Sequence, residues 1–83
     1  MKIFFSRRAK SDWLKLDHDT QEQLRRKLDF FISQKNPLRW ADRLKGSYSD
    51  KFRFRISEYR IIFEVEKDMI FVLRVGHRKD IYK

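Results

Sequence analysis

Between Lys51 and Ile56 the chain alternates without a break. Lys51, Arg53 and Arg55 fall on one side and Phe52, Phe54 and Ile56 on the other. That is the period of a half-buried strand. A second apolar run, Tyr59–Glu66, follows after Ser57-Glu58. With those two residues as the turn, Ile56 opposes Tyr59, Phe54 opposes Ile61 and Phe52 opposes Phe63. The six make one apolar face. The same register sets Arg55 against Arg60, Arg53 against Ile62 and Lys51 against Glu64. A slip of one residue would exchange the two faces and bury the arginines, so the hydrophobic pattern selects this pairing. The turn residues fit less well, because neither serine nor glutamate favours the positive φ of a primed hairpin turn.

The remaining elements follow from simpler signals. Lys2–Phe5 is a short apolar run and reads as a first strand. Ser6 caps a helix over about Arg7–Leu16, with Ala9, Trp13 and Leu16 as its stripe. Asp17-His18-Asp19 interrupts the pattern. Asp19 followed by Glu22 resembles a capping box, opening a second helix over about Thr20–Gln34. Its stripe is Leu24, Leu28, Phe31 and Ile32, and Asn36-Pro37 ends it. The segment 38–45 is the least defined: Trp40 and Leu44 are spaced for one helical turn, and Gly46-Ser47 reads as a break. Met69–Val75 is a last, nearly all-apolar strand reached through a Lys67-Asp68 turn, with Gly76 ending it. The expectation is a single α+β domain over residues 1–83. It comprises a short N-terminal strand, an antiparallel helix pair and a three-stranded antiparallel meander completing a small twisted sheet.

Charge narrows the function. The 83 residues hold 21 Lys+Arg against 12 Asp+Glu, a formal +9. The excess is spread over both halves of the chain, so it belongs to the folded domain. Such a domain suits nucleic acid or an acidic protein partner. There is no cysteine, hence no disulfide framework and no thiolate metal site, which suits a reducing cytoplasm. Met1–Phe5 begins like a signal peptide, but charge returns at Arg7 and the apolar stretch is too short for one. No stretch reaches the length of a membrane span.

Gathering like charges on neighbouring strands destabilises the pair, so the arginine face reads as a site for a polyanion. Guanidinium groups grip phosphate in a bidentate fork, and can stabilise charge building on phosphoryl oxygens. Residue types alone leave open a solvated strand face partnered by Glu64 and Glu66. Histidine is the side chain suited to giving or taking a proton under physiological conditions, so His77, between Gly76 and Arg78, is the candidate proton carrier, although a lone histidine is more often structural. Tyr82 can stack on a nucleobase or simply pack on the sheet edge. His18, among aspartates, reads as solvated. One clustered histidine does not make a metal site, and no cofactor motif is present. Cations, one histidine and one tyrosine suit RNA, whose 2′-hydroxyl is its own nucleophile.

Four segments together resemble the RelE branch of the RelE/ParE toxins of bacterial and archaeal toxin–antitoxin modules. They are Arg43-Leu44-Lys45-Gly46, Arg53-Phe54-Arg55, Glu58–Val65 and Val75–Tyr82. The resemblance spans essentially the whole chain. It implies a metal-independent endoribonuclease that cuts mRNA in the ribosomal A site by 2′-hydroxyl attack. Under it, Arg60 matches the transition-state arginine, Arg78 a second phosphate-binding arginine and Tyr82 the base-stacking tyrosine. Arg53 and Arg55 match strand positions that are lysines in RelE itself. Arginine is a poor base, so His77 becomes the base candidate. Lys45, Lys51 and Lys79 would add RNA contacts. The sequence departs from the commoner Gly-Asp turn at Ser57-Glu58 and lacks, after Tyr82, the C-terminal helix some members carry. The implied partners are the ribosome with its mRNA and a RelB-like antitoxin, with operator DNA met only through the antitoxin complex. A ParE-like gyrase inhibitor and a non-catalytic RNA-binding module are the alternatives.

Overall fold

A computed structural model describes residues 1–46 and 50–82. The order is β1 (Lys2–Phe5), α1 (Arg7–Leu14), α2 (His18–Ser33), a 3-10 turn (Pro37–Trp40), β2 (Ala41–Arg43), β3 (Phe52–Ile56), β4 (Tyr59–Glu66) and β5 (Met69–His77). The sheet runs β1-β5-β4-β3-β2. It is mixed: β1 lies parallel to β5, and the other neighbours are antiparallel. The expected meander is therefore the middle of a five-stranded sheet.

β3 and β4 pair in the register the alternation demands. Phe52 meets Phe63, Phe54 meets Ile61, Ile56 meets Tyr59 and Arg55 meets Arg60. Phenylalanine stacking fixes this register. Phe54 lies 4.5 Å from Phe63 and 4.5 Å from Phe31 of α2, centroid to centroid. Phe54, Phe63, Ile61, Val72 and Ile70 are fully buried there with Leu24 and Ala9. The apolar face of the sheet thus receives both helices, and the arginine face is left on the outside. The turn is two residues long as expected. Ser57 adopts φ 55° and so does Lys67 at the next hairpin, the left-handed region that costs a non-glycine residue about 1–2 kcal/mol.

β4 and β5 change register between Ile62 and Phe63, where Ile62 opposes Arg74 but Phe63 opposes Val72. The extra residue lets Val72 and Val75 both face the core, as an alternating strand would not. β5 also runs through Gly76 to His77, past the stop expected at glycine, because Gly76 still pairs with Arg60.

Other departures have local causes. β2 was not anticipated. A three-residue strand shows too little alternation to register, and Trp40 belongs to the 3-10 turn before it. Of the expected break at Gly46-Ser47, Gly46 has φ 73° and Ser47 lies outside the described residues. The cap of α2 is Asp17 rather than Asp19. Its Oδ1 accepts the Thr20 N–H at 2.7 Å, and hydrogen bonding from the Thr20 side chain first, then from this N–H, holds the Asp17 carboxyl below its usual range. Asp19 stands instead in the first turn of the helix, where a negative charge favours the dipole. α1 stops at Leu14, and Leu14 itself is exposed.

The edge of β5 shows how the short β1 is compensated. Phe5 pairs with Val72, and beyond that point no strand among the described residues covers β5 on this side. The Ser6 N–H donates to the Val72 carbonyl at 2.9 Å and the Ser6 hydroxyl to the Leu73 carbonyl at 3.2 Å. Asp12 on α1 continues the line. Its Oδ2 accepts the Val75 N–H at 3.0 Å and Arg74 Nε at 2.9 Å. Asp12 is buried, so removing it strands a buried N–H and a cation. Asp12→Ala is expected to lose about 3 kcal/mol, read as a fall in Tm of more than about 10 °C in a thermal melt. A drop within a few degrees would mean the edge is held by other contacts.

Candidate nucleic-acid interface

Arg55 and Arg60 stand directly opposite one another on β3 and β4. Like charges in that position repel, and the structure turns the two guanidinium groups apart. Arg60 Nη1 donates to the Ser57 carbonyl at 3.0 Å and the Tyr59 carbonyl at 2.9 Å. That clasps the strained turn through Nη1, one of the three nitrogens of the guanidinium. Arg55 leans the other way, with Nε 2.7 Å from Asp42 Oδ2. Arg53 Nε shares the same oxygen at 3.3 Å. Asp42 is carried by β2, where it pairs in register with Arg53.

The tail brings in the remaining groups. Residues 78–82 form turns, and Ile81 is buried with its side chain lying over Gly76. Gly76 opposes Arg60, so the tail folds back over the arginine face. This puts the Tyr82 hydroxyl 2.9 Å from Arg53 Nη1, which donates to it. That bond, then the pairing with Asp42, raises the Arg53 pKa against the effect of desolvation. Arg53, Tyr82, Lys45, Arg43 and Leu44 line a shallow cleft of about 420 Å³. Arg78 is tied to the β3–β4 turn: its N–H donates to the Glu58 carbonyl at 2.8 Å and its Nε lies 2.7 Å from Glu58 Oε2.

Lys51 pairs with Glu64 at 3.1 Å and Asp50 at 3.2 Å, and these bonds, Glu64 first, raise its pKa. Lys79 is exposed on the tail turn. The structure thus gathers Arg53, Arg55, Arg60, Arg78, Tyr82 and Lys45 around one face and its end, with Lys51 just before β3.

His77 departs from the sequence expectation. It opposes Tyr59, and Tyr59 opposes Ile56. The imidazole therefore shares the face of Ile56 and Ile61, across the sheet from Arg55 and Arg60. Its ring meets Tyr59 edge-on at 5.5 Å, and Nδ1 accepts the Lys79 N–H at 3.1 Å. A neutral imidazole so bonded carries its proton on Nε2. The alternation that located the arginines also excludes His77 from their face, once Gly76 is seen to continue the strand.

Two acids escaped the sequence reading, Asp42 and Glu58. Glu64 was anticipated. The signal for Asp42 was present: it is the one acid in the basic stretch from Arg39 to Lys45. Among the described residues no group of three or more His, Asp or Glu is placed to hold a metal ion, and no helix is long and apolar enough to cross a membrane.

Comparison with known proteins shows the family of the chain. The model of the ParE toxin of the type II toxin–antitoxin system parDE matches residues 3–82. The chain belongs to this toxin family. It is 36% identical over 78 residues to the mRNA interferase toxin RelE of Escherichia coli K12, across 90% of this chain and 80% of that one. The isolated E. coli RelE toxin superposes with a TM-score of 0.70 at 30% identity, over 92% of this chain and 82% of that one. The toxin–antitoxin complex RelBE2 of Mycobacterium tuberculosis contains a chain with the same fold. Its TM-score is 0.82 at 24% identity, over 93% of this chain and 96% of that one.

If the Tyr82 hydroxyl serves the site more than the fold, Tyr82→Phe costs little stability. An exposed hydrogen bond of this kind contributes about 1 kcal/mol or less. Urea denaturation checks this, and a loss of several kcal/mol would make the tyrosine a structural clasp.

Proposed function

We propose that this chain is the toxin of a type II toxin–antitoxin module and an endoribonuclease that cuts mRNA in the ribosomal A site, so stopping translation. The observation that carries the reading is the Arg55–Arg60 opposition on an outward face, joined by Arg53, Arg78 and Tyr82. The 36% identity to a protein named mRNA interferase toxin supports it.

The chemistry follows from those groups. The 2′-hydroxyl oxygen attacks the adjacent phosphorus and the P–O5′ bond breaks. A 2′,3′-cyclic phosphate and a 5′-hydroxyl result, the 2′ proton leaving and the 5′ oxygen gaining one. Negative charge accumulates on the non-bridging oxygens in the transition state. Arg60, fixed by the turn carbonyls, is preorganised to meet that charge, and such a donor accounts for about 10²–10³ in rate. Arg55 and Arg53 hold the phosphate. Arg78, at the end of β5, neutralises the leaving oxygen. Tyr82 stacks on a base and fixes the nucleotide, which RNA recognition by aromatic rings permits. Lys45 and Lys51 follow the backbone, and Lys79 reaches it from the tail. No metal or cofactor enters this scheme.

His77 has lost the geometric support it had as the base. From the far face it reaches the phosphate only by leaving Tyr59 and the Lys79 N–H. We assign it to bracing the tail turn that carries Arg78 and Tyr82. The partner is a RelB-like antitoxin whose acidic segment covers the arginine face, and operator DNA is met through that complex. The setting is the cytoplasm.

The test is purified protein in a translation extract, with mRNA cuts mapped by primer extension. Cuts within codons on ribosome-bound message are expected. Arg60→Ala should slow cutting about 10²–10³-fold with ribosome binding retained, and His77→Ala less than about tenfold. A loss for His77→Ala in the 10²–10⁴ range of general acid–base catalysis would return the histidine to the reaction. The matching family model carries the ParE name, which favours gyrase inhibition as the second reading. Intact mRNA with stalled gyrase would establish that reading instead, and weakened binding without any cutting would leave an RNA-binding module.

A further inference from the structure

We infer that Asp42 is a specificity-determining residue: its carboxylate holds the place of a phosphate between Arg53 and Arg55, and RNA must displace it. The inference rests on the proposed reading that this face takes RNA phosphates.

The geometry is that of an anion in a cradle. One oxygen, Oδ2, lies 2.7 Å from Arg55 Nε and 3.3 Å from Arg53 Nε. A non-bridging phosphate oxygen makes the same charge-assisted bonds to guanidinium groups. Both contacts use Nε, one of the two nitrogens on the edge through which a guanidinium grips an anion bidentately. While Asp42 is seated, neither arginine can offer that edge in full. The carboxylate is 37% exposed and sits on a three-residue edge strand, so rotation of its side chain can vacate the cradle. Glu58 repeats the arrangement on Arg78 at 2.7 Å.

A tethered carboxylate competes at the high effective concentration of a group that cannot diffuse away. An isolated phosphate, which meets one or two cations, does not outcompete it. A run of phosphates that engages Arg60, Arg78 and Lys45 at once does. Asp42 therefore suppresses occupation of the cradle by small anions and short oligonucleotides.

The probe is a 2′-O-methyl oligouridylate of roughly ten nucleotides, within the span a small domain covers and uncuttable for want of a 2′-hydroxyl. Its affinity is measured by fluorescence anisotropy across a salt series. Asp42→Asn is expected to bind roughly two- to fivefold more tightly, the scale of one exposed ion pair. The slope of log K against log salt should steepen by about 0.7, one further cation released to the strand. Asp42→Glu should stay close to the parent. Asp29→Asn, which removes an exposed acid from α2, should leave the slope unchanged. Should the asparagine disturb β2, Asp42→Ser gives the same reading. Equal or weaker binding by Asp42→Asn, with the slope unmoved, overturns the inference and makes Asp42 a brace for the arginines. A gain that survives Arg53→Ala and Arg55→Ala also overturns it, since the gain then arises elsewhere. The proposed RNA face fails separately, if those two arginine variants leave binding unchanged in the parent background.

Discussion

The stacking of Phe31, Phe54 and Phe63 is the contact from which the site derives. Phe54 is sandwiched between a helix ring and a ring on the next strand at 4.5 Å on each side, and both strand rings are fully buried. A slip of one residue would put arginines among those rings, at a cost no other contact in a domain this small could offset. Register is thereby fixed, and with it the position of every cation on the reverse side. The arrangement of charge that binds an anion is a by-product of packing on the other face.

That dependence explains what could be read in advance. Alternation in Phe52–Ile56 and Tyr59–Glu66 specified pairing, turn length and the Arg55–Arg60 opposition, because aromatic and charged residues cannot trade faces. β2 was not legible: Ala41-Asp42-Arg43 is too short to alternate, and its place beside β3 is set in three dimensions. The role of Asp12 had no signal in the sequence, because nothing local shows that β1 ends too soon to cover β5. His77 was misplaced by treating Gly76 as a terminator. Paired opposite Arg60, the glycine instead keeps the strand going and sends the next side chain to the other face.

Electrostatics in the free molecule are more balanced than a charge of +9 suggests. Lys51 has Glu64, Arg53 and Arg55 share Asp42, and Arg78 has Glu58. Arg60 is held by carbonyls. Half-exposed pairs of this kind add little stability. Their importance lies in exchange, since each acid can be replaced by a phosphate oxygen without leaving a cation bare.

The parallel pairing of β1 with β5 has a consequence for synthesis. Lys2 is partnered by Met69, and Phe5 by Val72. Contacts across almost the whole chain are slow to form, and during synthesis they must wait. The first strand leaves the ribosome early and stays without its neighbour until the last one emerges. The β3–β4 hairpin is complete before then, but the tail that brings Arg78 and Tyr82 over it follows β5. A nascent chain therefore holds an unfinished site until β5 and the tail through Tyr82 have emerged, however early its first strand and its arginine hairpin are made.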